Sequence, residues 1–269
     1  MSWFDALILG IVEGVTEYLP VSSTAHLLLT QRALGIEQTE ASDAFAICIQ
    51  AGAIVAVLGI YARRVGEMLQ GLAGRNPAGL KLAAQIVVAF LPAAILGLAF
   101  NKFIKAHLFH PKPIAAALLI GGLVILAFSA WQRRRPERSG KTVAALSFQG
   151  AAIIGLAQCL GMIPGTSRSL VTILGGLLVG LNMAAALEFS FLLGLVTLTA
   201  ATSYDAYKHG SAMVAAYEPA TLAIGFAGAV IAAFLAVRWM LAYLQARGLA
   251  IFGWYRIALA LVVVAALLK

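Results

Sequence analysis

Residues 13 to 26 read Glu-Gly-Val-Thr-Glu-Tyr-Leu-Pro-Val-Ser-Ser-Thr-Ala-His, a polar stretch set within apolar sequence. Glu13 and Glu17 are four residues apart, so on a helix they share one face. Pro20 stops or kinks that helix. The helix that follows has several good N-cap candidates, namely Ser22, Ser23 and Thr24. The stretch therefore predicts a helix, a break and a second helix, with carboxylates before the break and hydroxyls after it.

The composition indicates an all-α integral membrane protein. The chain is 62% hydrophobic and 11% charged, and its mean hydropathy is +0.94, outside the range of soluble globular domains. A solvated helix-turn-helix would be the better interpretation of the opening stretch in a soluble protein, and this composition argues against it. The net charge of +8 comes from dispersed basic residues without a nucleic-acid-binding motif. We therefore expect contact with anionic lipid headgroups and no nucleic-acid partner.

The apolar runs predict two short helix hairpins and six longer spans. The first hairpin covers about 4–35, and its arms are too short for a full crossing, which favours a re-entrant pair. A basic loop at 132–145 precedes the second hairpin, whose arms lie at about 146–163 and 167–181. The predicted transmembrane helices lie near 42–61, 81–101, 112–131, 183–205, 219–241 and 249–268.

The order of these elements repeats within a single membrane domain of residues 1–269. Leu-Pro-Val-Ser-Ser at 19–23 resembles Ile-Pro-Gly-Thr-Ser at 163–167, an offset of 144 residues. Repeat one covers about 1–131 and repeat two about 146–269. Each half has an odd number of spans, so the second half enters the membrane from the opposite side, which predicts two inverted-topology repeats. The two broken hairpins are then expected to meet near the midplane.

Loop charges predict the orientation in the membrane. The side with more Lys and Arg is expected to be cytoplasmic, so the first hairpin opens towards the outer side. The cytoplasmic set is Arg63, Arg64, Arg75, Lys81, Arg133, Arg134, Arg135, Arg138, Lys141, Arg238 and Arg247. The smaller outer set is Arg32, Lys102, Lys105, Lys112, Lys208 and Lys269.

The second break has the composition of an anion site. Residues 164 to 169 read Pro-Gly-Thr-Ser-Arg-Ser, where Pro-Gly ends one helix and Thr166 or Ser167 can cap the next. Free N–H groups, hydroxyls and the Arg168 guanidinium suit phosphate, because the planar fork can bind two oxygens at once. An arginine in an apolar segment needs a partner or a function. The alternative is an ion pair of Arg168 with Glu13 or Glu17 that only joins the two halves.

Placed together, the two breaks predict a site for a phosphate ester. Arg168 and the helix N-termini would hold the oxyanions, and a serine or His26 would supply a nucleophile. The two carboxylates, Glu13 and Glu17, could share a proton, bind Mg²⁺ or Ca²⁺, or neutralise Arg168. One of them could also activate Ser23 as a general base. A lone histidine in apolar sequence is more often a packing residue, but the nearby serines favour a functional role for His26.

The two motifs, together with Glu188-Phe-Ser-Phe-Leu and Ile49-Gln50, resemble the undecaprenyl-pyrophosphate phosphatases of the bacitracin-resistance type over nearly the whole chain. The resemblance implies a multi-pass enzyme of the bacterial plasma membrane that removes the terminal phosphate from a polyprenyl pyrophosphate lipid. It also implies dependence on a divalent cation, re-entrant hairpins and a homodimer. Ala25 and Leu170 stand where the family commonly has glycine, which affects local backbone fit. The functional set carried over by motif is Glu13, Glu17, Ser23, Thr24, His26, Ser167 and Arg168.

The sequence thus predicts a membrane phosphatase, with a transporter or lipid flippase as the alternative and a purely structural membrane protein as a third interpretation. The predicted catalytic residues are Ser23, Glu17, His26 and Arg168. The predicted phosphate-binding residues are Ser22, Thr24, Thr166, Ser167, Ser169 and Arg168. The predicted cation ligands are Glu13 and Glu17. Ser23 is the favoured nucleophile, and His26 and activated water remain open.

Overall fold

The computed structural model describes residues 1–37, 39–134 and 140–267, and every regular element in these ranges is helical. One 3₁₀ turn, Val143–Ala145, lies after the basic loop. The helices of the first half are α1 (Trp3–Thr16), α2 (Ser23–Ala33), α3 (Glu40–Ile60), α4 (Ala62–Leu72), α5 (Pro77–Leu108) and α6 (Pro111–Arg133). Those of the second half are α7 (Phe148–Leu160), α8 (Arg168–Leu178), α9 (Met183–Ala216), α10 (Pro219–Arg247) and α11 (Ala250–Leu267).

Two pairs of short helices form the predicted hairpins. The arms α1 and α2 have 14 and 11 residues, and α7 and α8 have 13 and 11. At 1.5 Å per residue the longest arm is about 21 Å long, less than the ~30 Å hydrocarbon core. Ser2 caps α1, accepting a hydrogen bond from the backbone of Asp5, and Ser147 caps α7 in the same way. Each arm is therefore shorter than the hydrocarbon core of a bilayer, and the re-entrant arrangement stays a prediction.

Within the described residues, five helices are long and apolar enough to cross a membrane, and they are α3, α5, α6, α9 and α10. The sixth predicted span corresponds to α11, which is apolar but shorter. Helices α5 and α9 extend beyond the spans expected at 81–101 and 183–205. The sequence analysis missed α4, a short amphipathic helix whose Arg63 and Arg64 pair with Glu67. This architecture is that of a multi-pass membrane protein.

The two halves cross over each other. Hairpin helix α1 packs on α10 of the second half, and hairpin helix α7 packs on α5 of the first half. These helices approach closely because small residues lie between them. A Cβ added to Gly10 would lie only 2.2 Å from the carbonyl oxygen of Gly225, so only glycine fits there. A Cβ on Gly155 would likewise lie 2.4 Å from the carbonyl oxygen of Ala89. Helices α3 and α9 pack on each other, as do α6 and α11, so each half is held by the other.

The backbone aligns the two breaks differently from the sequence. Ser22 and Ser167 both lie in the left-handed region, with φ of 73° and 72°, and each immediately precedes the second helix of its hairpin. The sequence offset of 144 instead pairs Ser23 with Ser167. The second break is one residue longer between its proline and its helix, so a single offset does not hold through it. The inverted orientation of the two halves stays a prediction.

The structure describes only part of the basic loop, because Arg135 and Arg138 lie outside the described residues. Lys269 also lies outside them. After the gap, the chain runs beside the end of the second hairpin. The Lys141 amide donates to the Gly180 carbonyl at 2.8 Å, and the Asn182 amide donates to the Lys141 carbonyl at 3.0 Å. Residues 143–145 then lead directly into α7.

Candidate active site

The two breaks contact each other directly. The Ser169 hydroxyl donates to the carbonyl oxygen of Leu19 at 2.9 Å, and the Ser167 hydroxyl lies 3.5 Å from the same oxygen. The two serine hydroxyls are 2.9 Å apart. Ser167 also caps α8 by accepting from the Leu170 amide. The break after α1 is therefore anchored on the start of α8, as the sequence predicted for two sheltered breaks.

Glu17 joins the first break to the second. Its Oε2 accepts a 2.5 Å hydrogen bond from the Ser23 hydroxyl, and its Oε1 accepts a 3.0 Å hydrogen bond from Nη2 of Arg168. Only 7% of the Glu17 side chain and 11% of the Arg168 side chain are exposed. The carboxylate thus neutralises the guanidinium and lies where it can take a proton from the Ser23 hydroxyl. Three of the predicted catalytic residues are brought together.

Two donors of Arg168 have no hydrogen-bond partner among the residues that the structure describes. Its Nε and Nη1 are buried without a hydrogen-bond partner, while its guanidinium carbon lies 5.7 Å from the centre of the Tyr18 ring. Buried donors without partners cost free energy, so Nε and Nη1 of Arg168 need a partner that the described residues do not supply. Gly194 of α9 provides the room for this side chain, because a Cβ there would lie 2.0 Å from Nη1 of Arg168.

Glu13 is buried in α1, one helical turn before Glu17. It is 1% exposed, and its Oε2 is buried without a hydrogen-bond partner. It does not line the cavity that Glu17, Ser23 and Arg168 line. Glu13 can therefore act on a ligand through its charge and through Glu17, one helical turn away, more readily than by direct contact.

His26 is held on the far side of the break. Its Nδ1 is 2.7 Å from the Ser22 carbonyl oxygen, and its Nε2 is 2.6 Å from the Tyr255 hydroxyl. A carbonyl can only accept, so Nδ1 carries the proton, and in the neutral ring Nε2 accepts from Tyr255. The two rings are parallel with centres 5.7 Å apart. Both ring nitrogens are engaged, and the structure does not bring His26 to the Ser23 hydroxyl.

A cavity of about 600 Å³ opens at this cluster. Its polar end contains both breaks, through Glu17, Ser22, Ser23, Thr24, Ser167 and Arg168. Its apolar wall follows α5, through Phe90, Ala93, Ala94, Gly97 and Leu98. The opposite wall is α9, through residues that include Thr197, Leu198, Ala201 and Tyr204. Leu98 lines the cavity and is 72% exposed, so the cavity is open to the outside of the helices near this residue.

Four predicted site residues do not line this cavity, namely Glu13, His26, Thr166 and Ser169. Ser169 is 1% exposed, and its hydroxyl is committed to Leu19. It holds the breaks together in this structure. The roles predicted for these residues stay predictions.

Three residues that contact the site groups were missed from the sequence. Gly194 packs on the Arg168 guanidinium, Tyr255 is hydrogen-bonded to His26, and Arg256 is a buried arginine that donates to carbonyls of both breaks. Arg256 could have been found from its place within an apolar segment, where an arginine is costly unless it has a function. The glycine has no signal in a chain with 26 glycines.

Glu13 and Glu17 could hold a divalent cation only if the substrate supplied most of the other ligand oxygens. Among the described residues, no three His, Cys, Asp or Glu side chains gather as a metal site. Both oxygens of Glu17 are already engaged by Ser23 and Arg168. Mg²⁺ commonly binds one or two carboxylates together with substrate phosphates and water. The donor set suits that mode, with the substrate supplying most of the ligand oxygens.

The fold and the site define a multi-pass membrane protein with an acid–serine–arginine cluster in a cavity that has an apolar wall. The chain belongs to the bacitracin resistance protein BacA family, whose family model matches residues 6–262. It is 48% identical over 260 residues to an undecaprenyl-diphosphatase of Sorangium cellulosum, covering 96% of this chain and 84% of that protein. It is 47% identical to undecaprenyl-diphosphatase 2 of Rhodospirillum rubrum, with 97% and 93% covered. It is 46% identical to undecaprenyl-diphosphatase 1 of Chromobacterium violaceum, with 97% and 94% covered.

Gly194→Ala tests whether the placement of Arg168 matters while every polar group of the cluster is kept. The new methyl group must push the guanidinium aside, and a displacement of about 1 Å can lower turnover by roughly 100-fold. We expect a loss of that order in phosphate release from a lipid pyrophosphate. Gly210→Ala, on the same helix where a Cβ meets nothing within 4 Å, is the matched control. Equal activity of the two variants would contradict the expected role of Arg168.

Proposed function

We propose that this protein is a membrane phosphatase that hydrolyses undecaprenyl pyrophosphate to undecaprenyl phosphate and inorganic phosphate, which recycles the lipid carrier of cell-wall synthesis. The observation that carries the proposal is the double contact of Glu17 with Ser23 and Arg168 at the polar end of the cavity. A carboxylate that holds both a hydroxyl and a phosphate-binding guanidinium is suited to phosphoryl transfer. The names of the relatives support the same substrate.

The cavity accounts for both parts of such a substrate. Pyrophosphate oxygens would bind the free donors of Arg168, the hydroxyls of Ser22 and Thr24, and the N-terminus of α8. The prenyl chain would lie along the apolar wall of α5 and leave the protein near Leu98. A water-soluble substrate would have no use for an opening on the lipid-facing side.

The contacts support the following reaction. The Ser23 hydroxyl attacks the terminal phosphorus as Glu17 takes its proton, forming the new P–O bond. The bond from that phosphorus to the bridging oxygen breaks, and undecaprenyl phosphate leaves with the bonding electrons. Water then attacks the phosphoserine and the bond between phosphorus and the Ser23 oxygen breaks. The Ser23 oxygen takes back the proton that Glu17 held, and phosphate leaves with the protons of the water, which restores both residues. Arg168 stabilises the charge on the transferring group. In the alternatives, His26 or water attacks first, but the ring nitrogens of His26 are engaged elsewhere.

A divalent cation, Mg²⁺ or Ca²⁺, is part of the proposal. Glu17 would be its direct protein ligand, because it faces the cavity, and Glu13 would add negative charge from behind. When bound, the cation would neutralise charge on the pyrophosphate oxygens. A cation that takes most of its ligand oxygens from the substrate agrees with the small number of carboxylates at the site.

The proposed setting is the bacterial plasma membrane, with the site open to the outer, periplasmic side and the protein acting as a homodimer. The excess of Lys and Arg in the loops assigned to the cytoplasmic side supports the orientation. The resemblance to the family supports the homodimer.

Phosphate release by the purified protein in detergent, supplied with undecaprenyl pyrophosphate, tests the proposed function against the transporter or flippase alternative. A hydrolase works without two compartments, whereas a transporter cannot be recognised without them. No phosphate release by the unaltered protein would contradict the proposal.

We expect Arg168→Lys to lose about 100-fold or more of the rate despite keeping its charge, because the planar fork is lost. Near-normal activity of Arg168→Lys would leave that residue only an ion-pair role.

Ser23→Ala tests the nucleophile. We expect a loss of roughly 1000-fold or more in kcat, since removing a nucleophile has effects of that size or larger. Rapid acid and base quenching of the unaltered protein, followed by mass spectrometry, should locate a phosphoryl group on Ser23. Thr24→Ala, which removes a neighbouring hydroxyl of the same cavity, is expected to lose far less. A base-stable, acid-labile phosphohistidine at His26, or no phosphoenzyme and a mild Ser23→Ala defect, would contradict this assignment.

Glu17→Gln tests cation binding. If Glu17 is a ligand, the Mg²⁺ concentration at half-maximal rate should rise by roughly tenfold or more, in addition to the loss of rate. Glu13→Gln should produce a smaller rise, because Glu13 lies behind the cavity wall. A Glu17→Gln variant with lower activity and an unchanged Mg²⁺ titration would leave Glu17 only as base and ion-pair partner.

A further inference from the structure

Arg256 is an arginine with no access to solvent. It lies in α11, is 0% exposed and is among the largest fully buried side chains of the described residues. It forms no ion pair with any carboxylate in the described part of the chain. A buried, unpaired guanidinium is costly, so its presence calls for a specific use.

The guanidinium is bound by backbone carbonyls from three segments. Nη1 donates to Pro20 at 3.2 Å, and Nη2 donates to Gly165 at 2.7 Å and to Ala117 at 3.1 Å. Pro20 and Gly165 lie in the two breaks, and Ala117 lies in α6. Carbonyls at a helix break lack intrahelical partners, and inside a membrane they need another donor. One side chain therefore anchors both breaks to the paired helices α6 and α11.

The two break carbonyls occupy matching places. Each belongs to the residue two positions before a serine with left-handed backbone, Ser22 in one half and Ser167 in the other. The residue that follows each of these serines begins the next helix, Ser23 in α2 and Arg168 in α8. Arg256 thus holds the backbone three residues before the proposed nucleophile and three residues before the phosphate-binding arginine.

We propose that Arg256 is a positioning residue for the hydrolytic reaction, which sets the separation between Ser23 and Arg168 by clamping the two breaks together. This inference rests on the proposed function. Arg256 does not line the cavity, so it acts through the backbone and does not touch the substrate. Three bonds to three segments fix relative position in a way that one bond cannot, and reacting groups must be held to within a fraction of an ångström.

Gly121 offers a way to move Arg256 without removing it. A Cβ at this position of α6 would lie 2.3 Å from Nη2 of Arg256 and 2.8 Å from its guanidinium carbon. Gly121→Ala therefore displaces the end of a flexible side chain and leaves the charge in place. Gly253→Ala adds a methyl group to the same α6–α11 interface, where it would meet side-chain atoms of Leu126 at 2.9 Å and the Gly122 carbonyl oxygen at 3.0 Å, and no atom of Arg256 is among its nearest contacts. It is the matched control for a change in packing alone.

The kinetic experiment compares Arg256→Lys, Gly121→Ala and Gly253→Ala in detergent with undecaprenyl pyrophosphate. Lysine keeps the charge but cannot span all three carbonyls. We expect kcat to fall about 100-fold in the first two variants with KM little changed, because misplacement acts on the reacting groups. The control should keep its kcat, and thermal unfolding of all three should show whether each is folded. If Arg256→Lys and Gly121→Ala are folded and keep the kcat of the control, the inference is wrong.

A double-variant cycle separates positioning from a general effect on stability. If Arg256 acts by placing Ser23, then Arg256→Lys should lower the residual rate of a Ser23→Ala protein by less than about threefold, since groups that act as a unit are not additive. A full further 100-fold loss in that background would show that Arg256 acts elsewhere and would overturn the inference.

Amide hydrogen exchange tests the clamp without turnover. Arg256→Lys and Gly121→Ala should each speed exchange several-fold in residues 19–24 and 163–168 together, since both breaks lose their anchor. The Gly253→Ala control should leave both segments unchanged. Unchanged exchange in the Arg256→Lys variant, or a change in one break only, would overturn the inference. If the unaltered protein releases no phosphate, the proposed function fails, and this measurement still decides whether Arg256 clamps the breaks.

Discussion

The structure depends on one constraint, the need to give every backbone group a partner where a helix is interrupted inside an apolar environment. Two hairpins break at proline, and each break leaves carbonyl and N–H groups that lipid cannot satisfy. The break after α1 is satisfied by the start of α8, through the Leu19 carbonyl and the Ser169 hydroxyl. The guanidinium of Arg256 supplies donors to both breaks. The first hairpin therefore depends on the second half for the partners of its break, because Ser169 and Arg256 both belong to that half.

The same constraint produces the chemistry. A break that is sheltered by protein also leaves a helix N-terminus facing a cavity, and such an N-terminus attracts anions. The two second helices begin with different side chains, Ser23 in one half and Arg168 in the other. Glu17 connects them, because one oxygen holds the hydroxyl and the other holds the guanidinium. Two similar backbone arrangements thus present a hydroxyl and a guanidinium to the same cavity.

Two pairs of long helices that join the halves differ in how closely they pack. Helix α3 lies against α10 so closely that a Cβ on Gly52 would meet the Phe226 carbonyl oxygen at 2.7 Å. Helices α5 and α9 instead enclose the cavity, with the small residues Ala93, Ala94 and Gly97 along its wall. A cluster of charged groups alone would bind any anion. The opening between α5 and α9 adds an apolar surface beside the charged groups, which is suited to a lipid chain.

The sequence by itself determined that the chain is helical, lies in a membrane and contains two broken hairpins, because composition, run length and proline position are local properties. It also indicated Glu17, Ser23 and Arg168 as a group, since charges and hydroxyls in apolar segments must find one another. Only the tertiary structure decided which of the other polar residues join them. His26 turns to Tyr255, Glu13 lies behind the cavity wall, and Arg256 reaches both breaks. Such contacts join residues more than 90 positions apart. In helices that are apolar on every side, no periodic pattern records which neighbour a given face will meet.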